Sequence, residues 1–193
     1  MPGQIKIDDG SGNYTILTNG GSLSSDKTIT IPNTTGTMAL TSDITSGLDG
    51  FQQFRLNANL TSNAQFITAN WEAPDSDYEA IGSQVSESSG VFSFGSTGKY
   101  LIILQGTGYA PSGAYNNLQI QVDSGDGTFT NRATAKVGAS GMENSGYANA
   151  LIDVTSTDFK VKIYKSTNNA STITYGETDA NQTCVSFMRI GAT

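Results

Sequence analysis

Two short acidic runs are the first places in this sequence to look for chemistry. In "DSGDGTF" (123–129), Asp123 and Asp126 stand among glycines, the setting of a calcium loop. An EF-hand loop needs oxygen ligands at alternate positions and a closing Glu; the third oxygen position and the Glu are both missing here. Asp-Gly between two strands is also a hairpin signal, and the turn is the reading we prefer. "PDSDYE" (74–79) clusters Asp75, Asp77 and Glu79. It could hold a cation with help from another loop, but a solvated acidic loop is the simpler expectation. The 17 acidic residues offer many carboxylate pairs, yet a glycosidase pair is defined by its separation in space. The chain has no His, so a Ser-His-Asp triad is excluded and the usual general base is missing. One cysteine, Cys184, excludes an intrachain disulfide and a cysteine-based zinc site. No catalytic residue, metal ligand or cofactor is predicted, and the chain is read as a non-enzyme.

Composition points to a β-rich surface protein. Hydrophobic residues are 36% and charged residues 14%, the latter well below the average of about 25%. Polar surface must come from Ser, Thr, Asn and Gly, and Gly alone numbers 22. The net charge of −7 leaves no cationic stripe for phosphates, so direct nucleic-acid binding is not expected. No run approaches the roughly 18 apolar residues of a membrane helix, and "MPGQIKIDDG" lacks the basic start and apolar core of a signal peptide. Neither membrane insertion nor signal-peptide export is expected. Five Asn-x-Ser/Thr triplets, beginning at Asn13, Asn33, Asn59, Asn169 and Asn181, are what a chain rich in these residues makes by chance.

The elements that would carry any site are short strands. "QIKI" (4–7), "YTILT" (14–18), "KTITI" (27–31) and "TMAL" (37–40) are separated by turn residues, and Pro32 ends the third because it cannot donate to a ladder. Four such strands hold too few apolar residues for a core of their own. Residues 41–50, "TSDITSGLDG", read as a linker, with Ser42 able to cap a short helical turn. The organisation predicted is an N-terminal β attachment arm over 1–45 and a β-sandwich over 46–193. In the second part, strands are expected at 51–56, 64–69, 91–95, 99–105, 116–122, 132–137, 147–154, 158–164, 171–175 and 183–190. Ten short strands without helical periodicity indicate a sandwich or jelly roll.

Two strands are apolar on both faces. "YLIILQ" runs apolar from Tyr100 to Leu104, and in the last strand Cys184, Met188 and Ile190 alternate with Val185 and Phe187. An antiparallel sandwich strand normally has one wet face, so the second apolar face should meet another subunit; a central strand of a monomer under a covering loop is the alternative. Tyr100, Ile102, Leu104, Phe187 and Met188 are the residues expected at the core or a trimer interface. Tyr109, Tyr115 and Tyr147, near turns rich in small polar residues, are candidate contacts at the tip of the head. Covering the sandwich ends or lining the interface is an equal alternative for them.

Two resemblances extend this reading. "TITIPNTTGTMALTSDI" (28–44) resembles a module of tail-fibre, head-fibre and other structural proteins of tailed bacteriophages. "GVFSFGSTGKYLIILQ" (90–105) and the closing "TCVSFMRIGA" (183–192) resemble the trimeric jelly-roll heads of the tumour-necrosis-factor and complement-globular-head type, where Phe94, Gly98 and Tyr100 fit the Phe strand, the Gly turn and the Tyr that opens the next strand. The family's calcium loops have no counterpart here.

Taken together, these resemblances imply an all-β homotrimer on a virion surface, made in the host cytoplasm. It would decorate the capsid as a cement protein or head fibre. Ile5, Ile7, Ile29, Ile31, Pro32 and Leu40 would anchor the arm on the major capsid protein or another virion protein. The alternative is a short tail fibre or adhesin whose head binds a host-surface glycan or protein.

Overall fold

The computed structural model describes residues 5–8, 10–12, 14–17, 48, 50–75, 78–82 and 85–193. The chain divides into two compact units, Met1–Asp43 and Ile44–Thr193. In the first, β1 (Ile5–Asp8) and β2 (Tyr14–Leu17) form an antiparallel hairpin with Ile5 opposite Leu17 and Asp8 opposite Tyr14. Ile5 and Ile7 lie on β1. The other expected anchors, Ile29, Ile31, Pro32 and Leu40, lie outside the described residues, as do Ser42, Asp77 and nearly all of the expected linker.

The second unit is all-β. Its strands are β3 (Gly50–Leu56), β4 (Leu60–Thr61), β5 (Gln65–Phe66), β6 (Trp71–Glu72), β7 (Val85–Ser88), β8 (Val91–Phe94), β9 (Gly98–Ala110), β10 (Tyr115–Asp123), β11 (Thr130–Ala139), β12 (Met142–Val154), β13 (Lys160–Thr167), β14 (Ile173–Thr174) and β15 (Cys184–Gly191). Their pairing follows one path, β6-β3-β15-β9-β12-β11-β10-β13-β8-β7. β11 and β12 pair only at Gly138–Glu143 and Ala139–Met142 and then diverge. The path therefore folds into two layers, β6-β3-β15-β9-β12 over β11-β10-β13-β8-β7, as a jelly-roll sandwich. The short strands β4, β5 and β14 close its margins.

Local chemistry explains the boundaries. The β11–β12 connection is a two-residue turn with Ser140 at φ 45° and Gly141 at φ 84°, the doubly positive geometry of a type I′ hairpin. Ser89 and Gly90 repeat it between β7 and β8. The expected strand at 64–69 is broken, and only Gln65–Phe66 pair there. Three short elements absent from the sequence reading appear as well, β4, β6 and β7, each two to four residues long and lacking an apolar run of its own. β9 continues through Gly106 and Gly108 for 13 residues. At Gly106 a Cβ would fall 2.5 Å from Leu118 and 2.8 Å from Val137 of the facing layer, so this close approach requires glycine.

The core lies between the layers. β9 contributes Tyr100, Ile102 and Leu104, and β15 contributes Val185 and Phe187, facing Leu118, Ile120, Val161 and Ile163. Phe92 anchors the aromatic part, with Phe187 at 5.1 Å, Phe54 at 5.3 Å and Trp71 at 5.4 Å between ring centroids. These are offset and edge-on geometries, which suit the ring quadrupoles.

The opposite end of the core is polar. Lys165 is fully buried, and its Nζ donates to the carbonyls of Leu60 (3.1 Å) and Thr172 (2.8 Å). Burial pushes this lysine down to about 8. As an ammonium it carries three N–H donors, two of which these carbonyls accept.

Candidate functional site

The strands β3, β15, β9 and β12 turn one face to the core and the other outward. Directly paired residues share a face, so the registers define rows on the outer one. Phe51, Met188, Leu101 and Leu151 form an apolar row across all four strands. The next row is Gln53, Ser186, Ile103 and Asn149, followed by Arg55, Cys184, Gln105 and Tyr147.

Leu151 is 62% exposed and Tyr147 66%, with Ile190 and Ile81 also exposed; Ile81 bridges to Phe51. Single exposed apolar residues need no explanation, but a continuous apolar patch does. The outward edge of β12 adds a second feature. β12 pairs with β9 along its whole length but with β11 only at residues 142 and 143, leaving 144–154 without a ladder partner on that side among the described residues. An unpaired strand edge beside an apolar face is a surface for another chain.

Polar groups order the rest of this face. Arg55 is buried, with Nε 3.0 Å from Glu72 Oε1 and Nη2 2.9 Å from Asp75 Oδ2. Asn57 donates to the second Glu72 oxygen at 2.9 Å. The Asn57 amide, followed by the Arg55 guanidinium, holds the Glu72 carboxyl below its usual range against the opposing effect of burial. Asp75, expected in a solvated acidic loop, is 67% exposed and serves as the outer half of this pair. Gln53 donates to Ser186 Oγ at 2.8 Å and accepts from Asn181.

Tyr100, Ile102, Leu104 and Phe187 all face the core, at 0 to 1% exposure. Met188 is half-buried on the outer face. Tyr109 and Tyr115 stand at the end of the sandwich opposite Gly50, near the β9–β10 connection. Tyr147 lies in mid-strand on β12, opposite Gln105 on the outer face, the position of the alternative reading in which it lines a face rather than the tip. The tight Ser140–Gly141 turn lets β12 start at Met142, earlier than the glycines around it suggest. The outer-face residues Phe51, Leu101, Ile103 and Leu151 were missed. A signal existed in "YANALIDV", whose exposed members alternate, but the rows depend on register between distant strands.

At the Tyr115 end, Tyr115, Asn117, Lys136, Gly138 and Ala139 line a recess. The DSGDG run is a turn: Asp123 Oδ1 accepts from the backbone N–H groups of Gly125 (2.8 Å), Asp126 (3.0 Å) and Gly127 (3.0 Å). Burial alone would raise this carboxyl, but the three N–H groups together outweigh it and hold it below the ordinary aspartate range.

No family model matches this sequence, and no curated protein matches it. Solved structures do resemble the fold. Murine APRIL superposes with a TM-score of 0.55 at 11% identity, covering 73% of this chain and 98% of that one. Eiger TNF from S. frugiperda gives a TM-score of 0.55 at 11% identity, covering 74% and 93%. Similarity at this level concerns the fold, and this chain shares the jelly-roll sandwich of these TNF-type proteins.

Proposed function

We propose that this chain is a non-enzymatic structural protein that assembles as a homotrimer and sits on the surface of a tailed-phage virion. The observation that carries the assembly is the outer face of β3-β15-β9-β12. This face carries the Phe51–Met188–Leu101–Leu151 row and ends at the β12 edge, which has no ladder partner beyond Glu143 among the described residues. An edge from one copy can pack on the face of the next, and such a heterologous contact forms a ring when the rotation closes. Burial of the apolar row would then drive association at roughly 25 cal/mol per Å² of apolar area. The resemblance to TNF-type folds supports closure at three.

The virion assignment rests on "TITIPNTTGTMALTSDI". On this reading residues 1–45 anchor on the major capsid protein or another virion protein, by main-chain pairing to an exposed strand edge. Three linked arms raise the effective concentration of each. The chain is then a capsid decoration or head fibre. Deleting residues 1–45 is expected to leave a soluble trimer that no longer binds capsids; retained binding contradicts the anchoring role. A short tail fibre or adhesin is the second reading, favoured by the exposed Tyr115 at the end opposite Gly50. Gold-labelled antibody on virions separates the two: label over the whole shell supports decoration, and label confined to the tail supports the fibre.

A further inference from the structure

We propose that the recess between β10 and β11 is a saccharide subsite for a pyranose bearing a carboxylate. It goes beyond the structural role above and stands on its own geometry. Tyr115, Asn117 and Lys136 line it, and the β10–β11 register sets Asn117 directly opposite Lys136 and Tyr115 opposite Ala139. Ala139 is small, so the Tyr115 ring, 40% exposed, has no bulky neighbour across the strand pair.

The three side chains have unused bonding capacity. The Tyr115 hydroxyl, the Asn117 amide and the Lys136 ammonium make no hydrogen bond or ion pair among the described residues. Their immediate surroundings contrast with this. Asn168 accepts from Tyr115 N at 3.0 Å and donates to the Gly113 carbonyl, while Thr167 Oγ1 donates to the Tyr115 carbonyl at 2.7 Å. Ser140 N donates to the Ala114 carbonyl at 2.9 Å. The backbone that carries the recess is tied down, and the groups that face it are left open. The backbone of the recess is therefore already ordered before binding, and the ordering cost falls on the side chains alone.

The residue types define the ligand. An aromatic face packs against the apolar C–H side of a sugar ring, an amide both donates to and accepts from vicinal hydroxyls, and a lone ammonium makes a charge-assisted bond to a carboxylate. A highly charged polyanion fits poorly, because the chain carries a net −7 and the recess offers a single cation.

The test uses the full-length protein, with cellobiouronic acid and cellobiose as probes and amide shift perturbation as the readout. Cellobiouronic acid should shift Tyr115, Asn117, Gly138 and Ala139, and should bind about tenfold tighter than cellobiose. Lys136→Gln should remove that preference, and Tyr115→Ala should abolish binding of both sugars. Both side chains are exposed, and an unchanged thermal melt of the variants confirms that each is folded. Absence of shifts up to about 10 mM sugar, shifts located elsewhere, or equal binding of the two probes would overturn the assignment.

Discussion

The two outer faces of the sandwich are built differently. On β10 and β13 the outward residues are Asn117, Gln119, Gln121, Lys162, Tyr164 and Ser166. The aromatic rings at that margin are covered: Lys162 Nζ lies 4.5 Å from the Phe129 centroid and 5.0 Å from that of Phe66, and Phe66 packs edge-on against Tyr164 at 5.2 Å. Gln121 donates to Gln119 at 2.9 Å. The apolar rings of that margin are shielded, and the recess at the Tyr115 end of the face is lined by polar groups. On β3-β15-β9-β12 the Phe51 end of the row packs against the Tyr78 ring at 6.5 Å and bridges to Ile81, but Leu151 at the other end is 62% exposed, and the adjoining β12 edge beyond Glu143 has no ladder partner among the described residues. One outer face covers its aromatic rings with a lysine, while the other leaves Leu151 and Tyr147 exposed. The proposed trimer places the second copy on that more exposed side.

Substitutions on each face, and in the core between them, test that contrast. The largest effect is expected from Leu151→Asp, which puts a charge into the exposed end of the apolar row. Burying it unpaired at an interface costs about 3–5 kcal/mol, a loss of association of roughly a hundredfold or more. Sedimentation equilibrium should report monomer with an unchanged thermal melt. Gln119→Asp on the lysine-covered face should leave the mass unaltered; dissociation by both would show that the faces do not differ.

Lys165→Met comes next. It orphans two carbonyls inside the head and should lower stability by about 1–3 kcal/mol in denaturant unfolding at neutral pH, without changing the subunit count. The pH dependence sharpens this. An unfolded lysine keeps its proton to about 10.4, whereas folded Lys165 releases it near 8. Between these values the unfolded chain binds more protons, so stability should rise with pH over this window, and Lys165→Met should flatten the rise.

Asp123 has the opposite sign. Its folded value lies below the ordinary aspartate value, so its contribution is present above about pH 4 and is lost as pH falls through the folded value. Asp123→Asn should lower the melting temperature at neutral pH, with the difference closing in acid. The smallest effect is expected from Lys162→Ala, about 0.5–1 kcal/mol from the lost cation–π contact and cover, again without change in assembly.

Much of the fold was legible because it depends on local signals. "KYLIILQ" reads as a strand from β-branched and apolar content, and the Ser-Gly pairs at 89–90 and 140–141 are turns that the two-residue hairpin geometry requires. The doubly apolar reading of Tyr100–Leu104 and of the last strand resolves into an inner set, with Tyr100, Ile102, Leu104, Val185 and Phe187, and an outer set, with Leu101, Ile103 and Met188.

The outer apolar row was not legible. Phe51, Leu101 and Leu151 follow one another at intervals of fifty residues in sequence, and only the pairing of β3, β15, β9 and β12 brings them into line. Lys165 likewise reads as a surface residue of an alternating strand. Its burial follows from β4 and the 168–172 connection closing over it, which is a tertiary event. The recess at Tyr115 depends on Lys136 standing opposite Asn117 across a β-bulge, and such irregularities of register leave no local trace.

The central claim is that the more exposed face is filled by copies of the same chain. Sedimentation equilibrium of the full-length protein at micromolar concentration tests it most directly. A mass three times the 20.2 kDa of the chain is the predicted result, and a stable monomer or dimer would contradict it.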